Sequence, residues 1–418
     1  MKIIVDSSQV VTPSGGRQKG LALGSLSLIP QGEVAIEDGR IYAVGQKGEL
    51  VGRFPGAERI SAGGNAVVPG FVDPHTHLIF AGDRAVEFEM RLQGKTYMEI
   101  MAAGGGILST LKATRAASVE ELVSQAWERA HTAFRFGTTT MEAKTGYGLD
   151  IETELKMLEA IIQLNEEGPL EIVPTYMGAH AIPPEYAGNP DGYTRFLVET
   201  ALPETRLWWQ ARVPGASLPF VDVFCEKDVF ELAQTEAILT AAKALGFPLK
   251  LHADEFENLG GAALAARLGA FSADHLVKTS PADIQALADS ETVAVSLPGT
   301  PFGLGQQEYS PARAIIAAGG CLALASDLNP GTTWNESMQF IQALACRAMK
   351  LTPAEALAAS TINAAAALGM EDRLGSIEVG KQADLLILRV RDYRMLAYRY
   401  GTNLVSQVIK KGVVHPVG

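Results

Sequence analysis

The chain is expected to fold as an α/β protein: a (β/α)8 TIM-like barrel with a small β-sandwich domain formed from both chain termini. Three observations predict this. Strand-like and amphipathic helical segments alternate across about 300 residues, the pattern of a parallel sheet with crossover helices. Short β-favouring stretches lie on both sides of that region. Chemistry-bearing residues cluster at the ends of the expected strands. A doubly wound open sheet is the alternative, since a strand count does not show closure. The expected division places residues 1–66 and 374–418 in the small domain and 67–373 in the barrel.

In chain order, Glu33–Glu37 and Arg40–Val44 read as two strands, with Asp38-Gly39 between them as a two-residue hairpin turn. Eight barrel strands are then expected at Val68–Asp73, Thr138–Glu142, Glu171–Met177, Phe220–Cys225, Leu249–His252, Phe271–Ala273, Thr292–Leu297 and Cys321–Ser326. Amphipathic helices are expected at Glu120–Phe136, Glu152–Leu164, Gln234–Leu245, Gly261–Leu268, Pro281–Ala288, Pro311–Ala318 and Ser337–Met349. The stretch Gly188–Leu218 reads as an insertion or surface excursion. Thr352-Pro353 starts a further helix, with Thr as N-cap and Pro at the first helical position. Strand-like sequence returns over Gly375–Leu388, Val405–Lys410 and Val413–Val414, which would complete the small domain.

The 418 residues are 47% hydrophobic and 20% charged, as expected of a globular protein with a large interior. A formal charge of −12 argues against nucleic acid or an anionic membrane as partner. No apolar run approaches the roughly 20 residues that span a bilayer. Cys225, Cys321 and Cys346 show no CxxC spacing and read as buried thiols in a reducing compartment. The first residues carry no signal-peptide pattern. A cytoplasmic enzyme with a small-molecule substrate is the expectation.

Catalytic groups of such barrels come from the C-terminal ends of the strands. His75 and His77 follow the first strand, where residues i and i+2 point to one side. Glu142, Lys144 and Tyr147 follow the second, His180 the third, and His252 and Glu255 the fifth. Asp274 and His275 follow the sixth, and Asp327 closes the eighth. Five of the seven histidines therefore fall at one end of the barrel. His75, His77, His252 and Asp327 suit one Zn²⁺ or Fe²⁺ ion, both of which accept nitrogen and oxygen ligands. Such an ion lowers the pKa of water toward neutrality and polarises a carbonyl. Glu255 is placed to carry protons. His275 could orient or deprotonate the water, or stabilise a developing oxyanion. The fourth strand ends in Cys225-Glu226, with no lysine to bridge a second metal, so one metal is expected.

These residues resemble the metal-dependent amidohydrolase superfamily and, within it, the imidazolonepropionase family. The resemblance rests on the segment from Pro69 to Arg84, on Glu89–Lys95 and on Ala103–Ile107. It continues through Lys144–Asp150, Gly178–Tyr186, His252–Phe256, Ser272–Leu276 and Ser326–Thr332. It implies hydrolysis of 4-imidazolone-5-propanoate to N-formimidoyl-L-glutamate, in histidine degradation, by a homodimer. It places His75, His77, His252 and Asp327 as metal ligands and Glu255, His275 and Asp327 as catalytic groups. Arg84, Tyr147, His180, Glu255, Asn329, Gly331 and Thr332 fall where the family contacts substrate. The physical reading of Arg84 agrees, because a guanidinium is a two-pronged donor for a carboxylate tail. Two features depart from the family: Thr145 stands where serine is common, and Pro301–Tyr309 differs from the usual loop. Two other readings are a deaminase of an aminated heterocycle, using the same metal motifs, and a non-catalytic barrel acting through assembly. The first does not require Arg84 with Tyr147, and the second usually loses metal ligands.

Overall fold

The computed structural model describes residues 1–95, 99 and 105–417, so Ala103 and Gly104 of the Ala103–Ile107 motif lie outside the described residues. Eight parallel strands run in sequence order around the centre: β1 Phe71–Asp73, β2 Thr138–Lys144, β3 Glu171–Ala179, β4 Phe220–Cys225, β5 Lys250–Ala253, β6 Ser272–His275, β7 Val293–Ser296 and β8 Leu322–Leu324. The two edges meet beyond the strand ends. Asp327 N–H donates to His75 O at 3.1 Å and His77 N–H to Leu328 O at 2.9 Å. Ser326 N–H donates to Asp73 Oδ1 at 3.0 Å. These bonds close a barrel and remove the open-sheet alternative.

Strand and helix positions follow the sequence pattern, with four differences. First, the single strand expected over Val68–Asp73 is two. Ala66–Pro69 lies in a terminal sheet, antiparallel to Leu385–Leu388 and parallel to Gln9–Pro13, and β1 starts after Gly70. A Cβ on Gly70 would lie 2.6 Å from Thr139 Cγ2, so only glycine lets the chain pass from one sheet to the other this close to β2. Second, Gly188–Leu218 is not a surface excursion. It holds the third crossover helix: Pro190–Phe196, a π-turn over Leu197–Ala201, and Leu202–Arg212, with Tyr193, Leu197, Ala201 and Trp209 buried in the core. Third, β2 extends to Lys144, so Glu142 and Lys144 lie within the strand rather than in the loop after it. Fourth, helices at Ala85–Leu92 and Ile107–Ala116 add to the first crossover.

Helix starts are set by side chains that satisfy free N–H groups. Ser118 and Glu121 form a capping box before Val119–Arg135, and Thr352 and Glu355 form another before Pro353–Ala359. Asp150 caps Ile151–Glu167.

The terminal segments form two packed sheets. One holds, in order, Arg40–Gly45, Glu33–Glu37, Lys2–Val5 and Glu58–Ser61; the other holds Val413–Pro416, Val405–Lys410, Leu385–Leu388, Ala66–Pro69, Gln9–Pro13 and Leu26–Pro30. Ile4, Val34, Ile36, Ile60, Val67, Leu385 and Ile409 fill the space between them. Each such side chain contributes roughly 1.5–3 kcal/mol by burial. Asp38 and Gly39 turn the expected hairpin with φ of 49° and 74°, the two left-handed residues that a type I′ turn requires.

Candidate active site

The strand C-termini bring the singled-out residues to one end of the barrel. A cavity of about 150 Å³ opens there. His77, Arg84, Tyr147, His180, His252, Glu255, His275, Asp327, Asn329, Gly331 and Thr332 all line it, and His75 lies fully buried beneath. A larger cavity of about 860 Å³ lies at the opposite end, among the strand starts; no histidine lines it.

Four donor atoms converge at the cavity floor. His75 Nε2 and His77 Nε2 stand 3.5 and 3.6 Å from Asp327 Oδ1, and His252 Nε2 stands 3.3 Å from His77 Nε2. Ligand atoms about 2.1 Å from one ion at tetrahedral angles are separated by about 3.4 Å, so His75, His77 and Asp327 fit a divalent metal ion, with His252 beside them. His75 Nε2 has no hydrogen-bond partner although it is buried, as expected of an atom left for a cation. His275 also reaches the cluster, grouping with His75 and His252.

Carboxylates on other strands stand beside the imidazoles. His75 Nδ1 lies 2.6 Å from Asp274 Oδ2, and His252 Nδ1 lies 3.0 Å from Asp222 Oδ2; Asp222 Oδ1 accepts from His252 N–H at 3.1 Å. A carboxylate accepts only, so His75 Nδ1 carries the proton and its Nε2 presents a lone pair to the cluster. The Thr300 hydroxyl donates to Asp327 Oδ2, which leaves Oδ1 facing the histidines. Burial pushes His75, His77 and His275 well below the usual imidazole range, and His180 down to about 3, with neighbouring positive groups adding to the effect. They are neutral, the form that binds metal. Burial pushes Asp327 up to about 6, a direction that a bound cation reverses.

Glu255 Oε2 lies 3.5 Å from His275 Nε2. Burial pushes Glu255 well above the ordinary carboxylate range, and the charges of Asp327 and Glu226 push the same way. Such a carboxylate takes up a proton more readily than a solvated glutamate and can pass it on.

The side chains of the cavity walls pack and hydrogen-bond against one another. His180 stacks on His77 at 4.7 Å between ring centroids, and its Nδ1 lies 2.9 Å from Gly146 O. Tyr147 packs 5.1 Å from His180. Thr145 replaces the expected serine without loss of its hydroxyl contact, accepting from Met177 N–H at 2.8 Å. Asn329 organises its own loop, accepting from the N–H groups of Gly331 and Thr332 at 2.8 Å each. Arg84 makes a two-pronged pair with Glu87, Nε at 2.8 Å and Nη2 at 2.5 Å, which leaves Nη1 toward Gly331. A Cβ at Gly331 would sit 3.0 Å from Arg84 Cζ, so glycine there admits the guanidinium. The unusual Pro301–Tyr309 segment begins inside a short helix, Gly299–Gly303, that includes Thr300.

Sequence reading missed the roles of Asp222, Asp274, Thr300 and Glu87. For Asp274 a signal existed in its position beside His275. For Asp222 the signal was a lone acid in the otherwise apolar run Phe220–Cys225.

The amidohydrolase family model matches residues 230–414. The chain is 52% identical over 413 residues to an imidazolonepropionase of Herpetosiphon aurantiacus, covering 99% of this chain and 96% of that protein. It is 50% identical to one of Symbiobacterium thermophilum, covering 98% and 96%. Among solved structures, a zinc-bound adenosine deaminase from Xanthomonas campestris superposes with a TM-score of 0.74 at 21% identity, covering 100% of this chain and 93% of that one. That last likeness shows the fold, while the full-length identities decide between the deaminase and cyclic-amide readings. The chain belongs to the imidazolonepropionase family, metal-dependent hydrolases acting on the C–N bond of a cyclic amide.

Proposed function

We propose that the chain hydrolyses the ring amide of 4-imidazolone-5-propanoate to N-formimidoyl-L-glutamate, with His75, His77, His252 and Asp327 holding one divalent ion. The observation that carries this reading is the convergence of those four donor atoms at 3.3–3.6 Å beside Glu255 and His275. When bound, the ion supplies Lewis-acid polarisation of the ring carbonyl and lowers the pKa of water. The nitrogen-and-oxygen donor set suits Zn²⁺ or Fe²⁺, and metal analysis of the purified protein identifies which.

Around that ion the residues have distinct tasks. Glu255 accepts a proton from the attacking water and returns it to the departing ring nitrogen. The water oxygen bonds to the carbonyl carbon and the C–N bond breaks, which balances the reaction. Asp327 accepts a hydrogen bond from the same water, and His275 donates to the carbonyl oxygen as negative charge develops there. Arg84 Nη1, Tyr147 and His180 hold the substrate's tail and ring, with Asn329, Gly331 and Thr332 closing the far wall. Residues 67–373, apart from Val67–Pro69 in the terminal sheet, supply the catalytic unit, and residues 1–66 and 374–418 form the small domain beside it. The family resemblance supports a homodimer in the cytoplasm. Among the described residues no helix is long and apolar enough to cross a membrane.

The test is direct. Metal-loaded protein is mixed with 4-imidazolone-5-propanoate, and loss of the imidazolone chromophore is followed with release of formimidoylglutamate. Turnover is expected. No turnover by metal-loaded, folded protein overturns the reading, and ammonia release from an aminated heterocycle would favour a deaminase.

A further inference from the structure

Beneath the proposed metal ligands the barrel interior holds charge where branched aliphatic side chains usually stack. Glu142 and Lys144 on β2, Asp222 on β4, Lys250 on β5 and Asp274 on β6 are all fully buried. They form one lattice. Lys144 Nζ donates to Glu142 at 2.9 Å and to Asp222 Oδ2 at 2.7 Å. Lys250 Nζ stands 3.0 Å from Glu142 Oε2, 3.9 Å from Asp274 Oδ2, and donates to Pro74 O at 2.5 Å. Thr175 Oγ1 donates to Glu142 at 2.5 Å.

A buried set of ions is a poor route to stability, because desolvation offsets most of the attraction and apolar replacements often do as well. The lattice is better explained by what its edges touch. Two of its three carboxylates meet the proposed ligands: Asp274 pairs with His75 Nδ1, and Asp222 accepts from His252 N–H at 3.1 Å and stands 3.0 Å from its Nδ1. Lys250 precedes His252 by two residues on β5 and binds the carbonyl immediately before His75, so it ties together both strands that carry these ligands. Two ammonium groups stand among three carboxylates under the donor atoms.

We propose that this lattice, with Lys250 as its central positioning residue, sets metal affinity by holding the carbonyl before His75 and the carboxylates beside His75 and His252 in place, so that both imidazoles stay aimed at the ion. The proposal rests on the metal-site reading above. Its consequence is that affinity depends on groups that never touch the ion.

The experiment measures Zn²⁺ affinity by competition with a chromophoric chelator, and the visible spectrum of Co²⁺-loaded protein, in wild type, Asp274→Asn, Lys250→Met and the double variant Glu142→Gln/Lys250→Met. Thermal unfolding of each metal-free protein reports folding separately. Asp274→Asn and Lys250→Met are expected to weaken Zn²⁺ binding about 10- to 100-fold and to shift the Co²⁺ bands. The double variant also removes the carboxylate that Lys250→Met leaves without one of its two ammonium partners, and is expected to bind more tightly than Lys250→Met. If Lys250→Met does not fold, Asp274→Asn and the double variant are compared with wild type. Wild-type affinity in folded Asp274→Asn or in the double and single lysine variants alike overturns the proposal, and a double variant no tighter than Lys250→Met overturns the part given to the Lys250–Glu142 pair. Wild type that binds no Zn²⁺, or His252→Ala that keeps it, instead overturns the underlying metal-site reading.

Discussion

Catalysis at this site turns on side chains that burial has stripped of water. Glu255 is the clearest case: a carboxyl raised by desolvation and by neighbouring negative charge is suited to hold and transfer a proton. Glu255→Gln is expected to lower kcat by about 10²- to 10⁴-fold with metal content unchanged; steady-state kinetics beside metal analysis check this, and full activity excludes Glu255 as the proton carrier. On the proposed reading, Arg84 acts at a distance from the bond that breaks. Arg84→Ala is expected to raise KM, by roughly 10- to 100-fold from a lost charge-assisted bond worth about 1.5–3 kcal/mol. An unchanged KM means another residue holds the propanoate. The histidines and Asp327 were legible in the sequence because each closes a strand, and a strand end in a barrel has a known destination. Their orienting partners were not. Asp222 meets His252 through the register of neighbouring strands, and Asp274 meets His75 across the barrel, pairings that chain order does not show. Backbone strain was equally invisible: His275, Leu276 and Asp327 take φ of 76°, 62° and 53° without being glycine. Such conformations cost about 1–3 kcal/mol each and cluster at active sites.

Elements were read well wherever hydrophobic periodicity was regular. β4 and the helices Gly261–Leu268 and Pro281–Ala288 match their expected limits. The third crossover helix escaped for a physical reason. Its buried positions Tyr193, Leu197, Ala201, Thr205 and Trp209 recur every four residues, and a π-turn over Leu197–Ala201 keeps them on one face where an α-helix would drift. Pro190 and Pro203 added to its appearance as a loop. The opposite error, one strand read across two sheets, arose because Gly70 interrupts an apolar run without changing its character. Gly70→Ala is expected to destabilise the fold by about 1–3 kcal/mol through overpacking against Thr139, with part of the loss recovered in Gly70→Ala/Thr139→Ala. Denaturant unfolding measures both, and an additive double variant contradicts the contact. The helix Val119–Arg135 braces the substrate wall: the Arg129 guanidinium lies 3.7 Å from the Phe80 ring centroid and donates to Phe80 O at 2.9 Å.

At the scale of the molecule, two bodies share a continuous chain through Gly70 and polar contacts at the barrel base. Glu171, which opens β3, pairs with Arg373 and stands 3.6 Å from Lys410 of the terminal sheet. The charged lattice occupies the barrel interior above that base, and the metal ligands stand above the lattice. Binding an ion to the folded state alone adds stability by mass action, about 4 kcal/mol when free metal exceeds its Kd 1,000-fold. Metal removal is therefore expected to lower Tm by several degrees while leaving far-ultraviolet circular dichroism unchanged. An unaltered Tm places the ion somewhere other than the barrel mouth.

One titration tests the central claim most directly. Metal-free protein receives increasing Zn²⁺ or Fe²⁺ while formimidoylglutamate release from 4-imidazolone-5-propanoate is recorded. Activity is predicted to rise linearly and stop rising at one equivalent of metal per chain, and to stay absent in His252→Ala at the same metal concentrations. Full activity without metal, or a break at two equivalents, would contradict a single ion held by His75, His77, His252 and Asp327.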